Sequence, residues 1–156
     1  MKIYTLRCEM KIPASQQDAF AVFENPHNLA KITPPWLNFR ITSREPVAMR
    51  KGAEIEYRIR WLGVPIRWTT VIAEYEPPRM FVDQQAKGPY TLWRHRHTFE
   101  PVDGGTLVSD TVEYALPFGW LGRLMHRLLV ARQLREIFRF RQRALLDLYA
   151  APGPSL

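Results

Sequence analysis

From Trp120 to Tyr149 the apolar residues recur with the period of a helix, and Leu124, Leu128, Ala131, Leu134, Phe138, Leu145 and Leu148 fall on one face. At 1.5 Å per residue such a helix is about 40 Å long, enough to cross a whole sheet. Before it, the apolar residues mostly alternate with polar ones, the period of half-buried strands. A long amphipathic helix after a series of strands predicts an α+β domain in which the helix is laid across a sheet.

Tyr4, Leu6, Cys8, Met10 and Ile12 alternate with Thr5, Arg7, Glu9 and Lys11, and Pro13 ends this first strand. Ser15, with Asp18 three positions on, opens a short helix carrying Ala19, Phe20, Val22 and Phe23 on its apolar side, and Asn25-Pro26 stops it. A second short helical piece is expected around 27–32, and a strand from Leu37 to Ser43. Ile55, Tyr57, Ile59 and Trp61 then alternate with charged residues up to a turn placed at Gly63-Val64. That turn pairs Trp61 with Ile66, Ile59 with Trp68, Tyr57 with Thr70 and Ile55 with Ile72. Pro77-Pro78 leads into a fifth strand, Arg79 to Gln85, whose register the residues do not set. Lys87-Gly88-Pro89 leads into the sixth, Asp103-Gly104-Gly105 marks a hairpin, and the seventh runs from Thr106 to Leu116.

At 156 residues, 46% of them hydrophobic, one domain over 1–150 is expected, with a disordered tail at 151–156. The single cysteine, Cys8, leaves no internal disulfide and no cysteine metal site, and fits a reducing compartment. The first ten residues are broken by charges, and no window approaches the ~18 apolar residues of a membrane span, so a cytoplasmic protein is expected. The net charge of +7 is concentrated in one segment: between Leu121 and Tyr149 seven arginines (123, 127, 132, 135, 139, 141 and 143) oppose Glu136 and Asp147, a local balance of +5. A basic outer helix face suits a weak contact with anionic lipid or a protein partner. Nucleic acid is not expected as a partner, because the aromatics sit on inward strand faces rather than among the exposed basic groups. There is no nucleophile elbow and no phosphate loop.

The sixth strand carries the unusual chemistry. Trp93, His95, His97 and Phe99 share one face, while Leu92, Arg94, Arg96, Thr98 and Glu100 share the other, so two imidazoles point inward. With Asp103-Gly104 as the loop, Phe99 faces Val108, His97 faces Asp110, His95 faces Val112 and Trp93 faces Tyr114; a three-residue loop would bring Thr111 and Glu113 round instead. An Asp beside a sheltered His fixes its tautomer and raises its basicity, as in an acid/base pair. The expected site is an apolar cavity with Tyr57, Trp61, Trp68, Trp93, Tyr114 and Phe138 as walls and His95, His97 and Asp110 as polar anchors. Arg141, on the apolar helix face, would receive an acidic head group or else snorkel to the rim or pair with a carboxylate. The alternative to a cavity is a packed core with hydrogen-bonded histidines. His-x-His on one strand face is also a zinc-ligand spacing, with Asp110 as third ligand; neither a metal nor another cofactor is expected.

Four segments carry a resemblance: Thr33-Pro34-Pro35-Trp36-Leu37-Asn38-Phe39, Tyr57-Arg58-Ile59-Arg60-Trp61-Leu62-Gly63, Trp93-Arg94-His95-Arg96-His97-Thr98-Phe99 and Tyr114-Ala115-Leu116-Pro117-Phe118-Gly119. From Ile3 to Tyr149 the chain resembles the START-like, polyketide cyclase/dehydrase (SRPBCC) superfamily, in particular a bacterial subgroup of unassigned activity. The resemblance implies a helix-grip fold: a curved seven-stranded antiparallel sheet wrapped around a long C-terminal helix, with two short helices between strands 1 and 2. It does not imply a metal. The superfamily's functions are diverse, so three readings stand. The first is a carrier or sensor of a small hydrophobic, aromatic or lipid-like ligand. The second is a cyclase/dehydratase-type enzyme using His97 or His95 with Asp110, and the third is a docking module acting through the basic helix. The residues favour the first, and whether the chain is an enzyme stays open.

Overall fold

A computed structural model describes residues 1–44 and 47–150. The tail expected at 151–156 lies outside the described residues. Strand β1 (Tyr4–Ile12) is followed by helices α1 (Gln16–Glu24) and α2 (Pro26–Lys31), a 3-10 turn (Pro35–Leu37) and the two-residue strand β2 (Arg40–Ile41). Five strands follow, β3 (Glu54–Trp61), β4 (Val64–Glu76), β5 (Met80–Lys87), β6 (Leu92–Val102) and β7 (Gly105–Ala115). The chain closes on α3 (Gly119–Met125), a π-helical stretch (His126–Val130) and α4 (Ala131–Ala150). All strand pairs are antiparallel in the order β1-β7-β6-β5-β4-β3-β2, so β1 returns to pair with β7 and places Tyr4 opposite Tyr114. This is the helix-grip architecture.

Local chemistry explains most of these elements. Ser15 caps α1, its Oγ accepting from the Asp18 backbone N–H at 3.1 Å, and Ala19, Phe20 and Phe23 are the buried side of that helix. Asn25 both ends α1 and caps α2, accepting from the His27 N–H. Phe20, Phe23, Phe81, Phe99 and Leu145 form one apolar cluster, while Val112, Tyr114, Val130, Leu134 and Phe138 form another. The two clusters place α4 against the sheet's inner face along most of its length.

The β6–β7 hairpin has the expected register, with His97 opposite Asp110 and His95 opposite Val112. The β3–β4 register is a correction. Its turn is Leu62-Gly63, so Trp61 pairs with Val64, Ile59 with Ile66, Tyr57 with Trp68 and Ile55 with Thr70. Leu62 and Gly63 have φ of 49° and 79°, the double left-handed conformation of a type I′ turn, which matches the strand twist. The shift is two residues, so every side chain keeps its expected face. The strand expected from Leu37 to Ser43 is also shorter: Leu37 belongs to the 3-10 turn, Asn38 turns left-handed at φ 46°, and only Arg40–Ile41 pair.

On the C-terminal helix the expected stripe is displaced. Leu124, Leu128 and Leu148 are exposed, Leu128 at 65%, whereas Val130, Leu134, Phe138 and Leu145 are buried. The π-helical stretch at His126–Val130 adds a residue to one turn and rotates the upstream face off the sheet. Past Phe138 the buried line runs through Leu145 to Tyr149, which leaves Leu148 on the outer edge.

Candidate functional site

Between α4 and the inner face of the sheet lies a cavity of about 450 Å³. Its wall contains Tyr57, Trp61, Trp68, Trp93, Phe138, His95, His97 and Arg141, eight of the ten residues expected there. Asp110 and Tyr114 stand behind the wall rather than on it. Tyr114 packs into the Val130/Leu134/Phe138 cluster, and its hydroxyl lies 2.9 Å from His126 Nε2. Aromatic packing fixes the wall: Tyr57 stacks on Trp68 with centroids 5.8 Å apart, and Trp68 meets Trp93 edge-on at 5.3 Å. Trp61 reaches across to α4 and donates from Nε1 to Gln133 Oε1.

At one side of the cavity four titratable groups meet. His95 Nε2 is 2.9 Å from Asp110 Oδ1, and His97 Nε2 is 2.8 Å from Asp83 Oδ2. His97 Nδ1 also lies 2.9 Å from Asp110 Oδ1, and His95 Nδ1 lies 3.7 Å from Asp83 Oδ2. The ring N–H direction at His97 Nδ1 misses Asp110, so that nitrogen is buried without a hydrogen bond and the contact is purely electrostatic. The imidazole centroids are 3.8 Å apart, with Phe81 stacked on His97 at 4.2 Å and Phe23 meeting it edge-on at 6.0 Å.

Asp83 was not among the expected residues. It comes from β5, where it pairs with His95 on β6 and Ile72 on β4. The β4–β5 pairing shifts register between Thr69 and Thr70 and again between Ile72 and Glu74. Such irregularities have no local residue signature, so the alternation of β5 alone could not say what Asp83 faces.

The protonation pattern follows from this geometry. Burial pushes both carboxyls up, but the two imidazoles outweigh it and hold Asp83 and Asp110 below the ordinary range. Burial and the neighbouring His97 lower His95, against the pull of Asp110 and Asp83. Burial also opposes charge on His97, but Asp110 and Asp83 together raise it. Of the two rings, His97 is therefore the one that holds a proton more readily and His95 the one that gives it up more readily. Cys8, opposite Asp110 on β1, has its thiol pushed up to about 11 by burial and then by the Asp110 charge, so it is no nucleophile.

Among the described residues no carboxylate forms a salt bridge with Arg141, which is half-buried. Its Nε and Nη1 are buried with no hydrogen-bond partner, and the guanidinium lies 5.0 Å from the Phe138 ring centroid. Trp68 Nε1 is a further buried donor on the wall that has no partner among the described residues. The cavity thus offers apolar surface and unfilled donors, a combination suited to an amphipathic molecule with an acceptor end.

A helix-laid sheet enclosing an apolar cavity is matched by one family model, "Polyketide cyclase / dehydrase and lipid transport", over residues 12–139. The chain belongs to this family. Among solved structures it is similar to protein CV1439 from Chromobacterium violaceum, at 15% identity and a TM-score of 0.73 over 95% of this chain and 98% of that one. It is similar to protein Ms6760 from Mycobacterium smegmatis, at 16% identity and a TM-score of 0.65 over 96% and 95% of the two chains. Ginseng major latex-like protein 151 from Panax ginseng matches at 12% identity and a TM-score of 0.67 over 96% and 99%. At these identities the likeness is one of fold. No functionally curated protein matches the chain. Among the described residues no helix is long and apolar enough to cross a membrane.

Proposed function

We propose that the protein binds a small hydrophobic, aromatic or lipid-like ligand in the cavity between sheet and C-terminal helix, as a carrier or sensor. The observation that carries this reading is the cavity itself. About 450 Å³ of space walled by Tyr57, Trp61, Trp68, Trp93 and Phe138 is far more than a packed core leaves open and lies in the range of small-ligand sites. In this reading the aromatics hold the ligand body, His95, His97 and Arg141 anchor its polar end, and Asp110 and Tyr114 support them from behind. Native mass spectrometry of the purified protein, followed by solvent extraction, should reveal a bound organic molecule. Apolar ligands should also quench the wall tryptophans. Repeated absence of a bound molecule, together with no quenching by a panel of fatty acids, aromatic acids and polyketide-like phenols, would overturn the reading.

A second reading is a cyclase/dehydratase-type enzyme, supported by the opening of His95 and His97 onto the same cavity. There His97, its basicity raised by Asp110 and Asp83, would move a proton on an enclosed carbonyl compound. His97→Ala and Asp110→Asn should then abolish turnover of a candidate substrate while leaving its binding mostly intact; unchanged rates end this reading. Contact with anionic membrane is supported by exposed Phe118, Trp120 and Leu121 beside exposed Arg123 and Arg127. Its check is salt-sensitive sedimentation with phosphatidylserine vesicles, and no sedimentation at low salt removes it.

A further inference from the structure

The Asp83/His95/His97 cluster has a front and a back. Behind it, Asp110 Oδ1 lies 2.9 Å from one nitrogen of each ring, His95 Nε2 and His97 Nδ1. In front, the other nitrogens, His95 Nδ1 and His97 Nε2, both face Asp83 Oδ2, at 3.7 and 2.8 Å. A ring that donates Nε2–H to Asp110 keeps a lone pair on Nδ1. At 3.7 Å His95 Nδ1 makes no hydrogen bond to Asp83 Oδ2, and it faces the same oxygen that His97 Nε2 meets, so three atoms of metal-ligand type come together at the cavity wall.

We infer that Asp83 Oδ2, His95 Nδ1 and His97 Nε2 form a three-ligand site for a divalent transition-metal ion of the zinc type, with Asp110 as the outer carboxylate behind both imidazoles, hydrogen-bonded to His95 and in electrostatic contact with His97. The spacing fits. Donor atoms bound tetrahedrally at about 2.0–2.1 Å stand roughly 3.3 Å apart, and here the two separations from Asp83 Oδ2 are 2.8 and 3.7 Å, while the three residues offer ligand atoms that all lie within 4.8 Å of one another. One carboxylate behind two metal-binding imidazoles is the arrangement that fixes tautomers and raises ligand basicity. The donor set of two imidazoles and one carboxylate suits zinc or another first-row divalent ion rather than calcium or magnesium. All three ligands line the cavity, so the remaining coordination positions open toward its interior.

The exchange balances chemically. The ion takes the place of the proton held between His97 Nε2 and Asp83 Oδ2. The ring that binds through Nε2 carries its proton on Nδ1, on the Asp110 side. The third ligand is thus Asp83 and not Asp110, the one that strand pairing alone offered.

The site shares His95 and His97 with the proposed ligand cavity but rests on its own donor geometry, and its test uses the metal alone. Tag-free protein is stripped with a chelator and titrated with Zn2+ and with Co2+, by calorimetry and visible absorption. The expected result is one equivalent per chain with micromolar or tighter affinity, and a Co2+ spectrum of low-coordinate nitrogen/oxygen ligation. Asp83→Asn, which keeps the side chain's shape, should weaken binding at least 100-fold, and Asp110→Asn by about 10- to 100-fold. Wild-type protein that is folded by circular dichroism yet binds neither ion below millimolar concentration would overturn the inference. Binding that Asp83→Asn leaves unchanged would overturn it equally.

Discussion

His95 Nε2 and Asp110 Oδ1 lie 2.9 Å apart although the two residues are not strand partners: the β6–β7 ladder sets His97 opposite Asp110 and His95 opposite Val112. The hydrogen bond runs on the diagonal, because a second carboxylate, Asp83, draws the His97 ring from the β5 side. One aspartate thus binds His95 and lies beside His97 Nδ1 from behind, so its loss strands His95 while Asp83 still holds His97.

Asp110→Ala is expected to destabilise the protein by about 3 kcal/mol, the cost of breaking a buried ionic network by removing one member. That corresponds to a fall in Tm of roughly 6–12 °C for a domain of this size. The measurement is thermal and urea unfolding with a chelator present, so that cation occupancy does not enter. A loss under about 1 kcal/mol would show the histidines to be satisfied without Asp110.

The β3–β4 hairpin holds a stabilising substitution. Leu62 sits at φ 49° with its side chain 63% exposed, in a turn whose first central position favours asparagine. A left-handed conformation costs an ordinary residue about 1–2 kcal/mol. Leu62→Asn should therefore raise stability by about 0.5–1 kcal/mol with no change in the circular dichroism spectrum, and an unchanged or lowered urea midpoint would refute the turn assignment.

These two hairpins also show what the residues alone disclose. Asp103-Gly104 announces its turn, and the pairing of His97 with Asp110 follows from it. Leu62 announces nothing, since leucine is no turn former; the left-handed pair is set by strand twist, and the register expected from Gly63-Val64 slips by two. Faces survive such a slip because side chains alternate, which is why the aromatic wall was legible and its partners were not. Asp83 was hidden for a different reason: two irregularities in the β4–β5 ladder decide what it faces, and neither leaves a mark on the sequence. The π-helical stretch is equally silent, and it moves Leu124 and Leu128 from the expected core to the surface.

His126 supplies a pH dependence remote from the cavity cluster. Its ring stacks on Tyr4 at 3.5 Å, its Nε2 faces the Tyr114 hydroxyl, and Lys2 and Arg135 are the nearby charges. Burial first, then Lys2 and Arg135, lowers its pKa below the ordinary histidine value. The unfolded chain therefore binds the proton more readily, so this contribution is complete above the unfolded value near 6.5 and is lost as pH falls through the depressed folded one. Urea midpoints between pH 7.5 and 5 should decline more steeply for the wild type than for His126→Asn. Parallel curves would show that the ring titrates freely.

Arg141 tests the polar end of the cavity with two independent readouts. A guanidinium with Nε and Nη1 buried and unpartnered costs the empty protein stability. Arg141→Met keeps the stem that packs beside Phe138 and removes the charge, so the unliganded variant should be more stable than wild type by about 1 kcal/mol or more, the usual exchange of function for stability at a binding site. If the donors are there for an acidic head group, the same change should weaken binding of a hydrophobic carboxylic acid at least 10-fold while leaving its methyl ester within about 2-fold, because a charge-assisted hydrogen bond is lost only with the acid. Wild type should prefer the acid and the variant should not. Equal losses for acid and ester would mean that Arg141 shapes the wall without recognising charge, and a destabilised empty variant would mean that its stem matters more than its head.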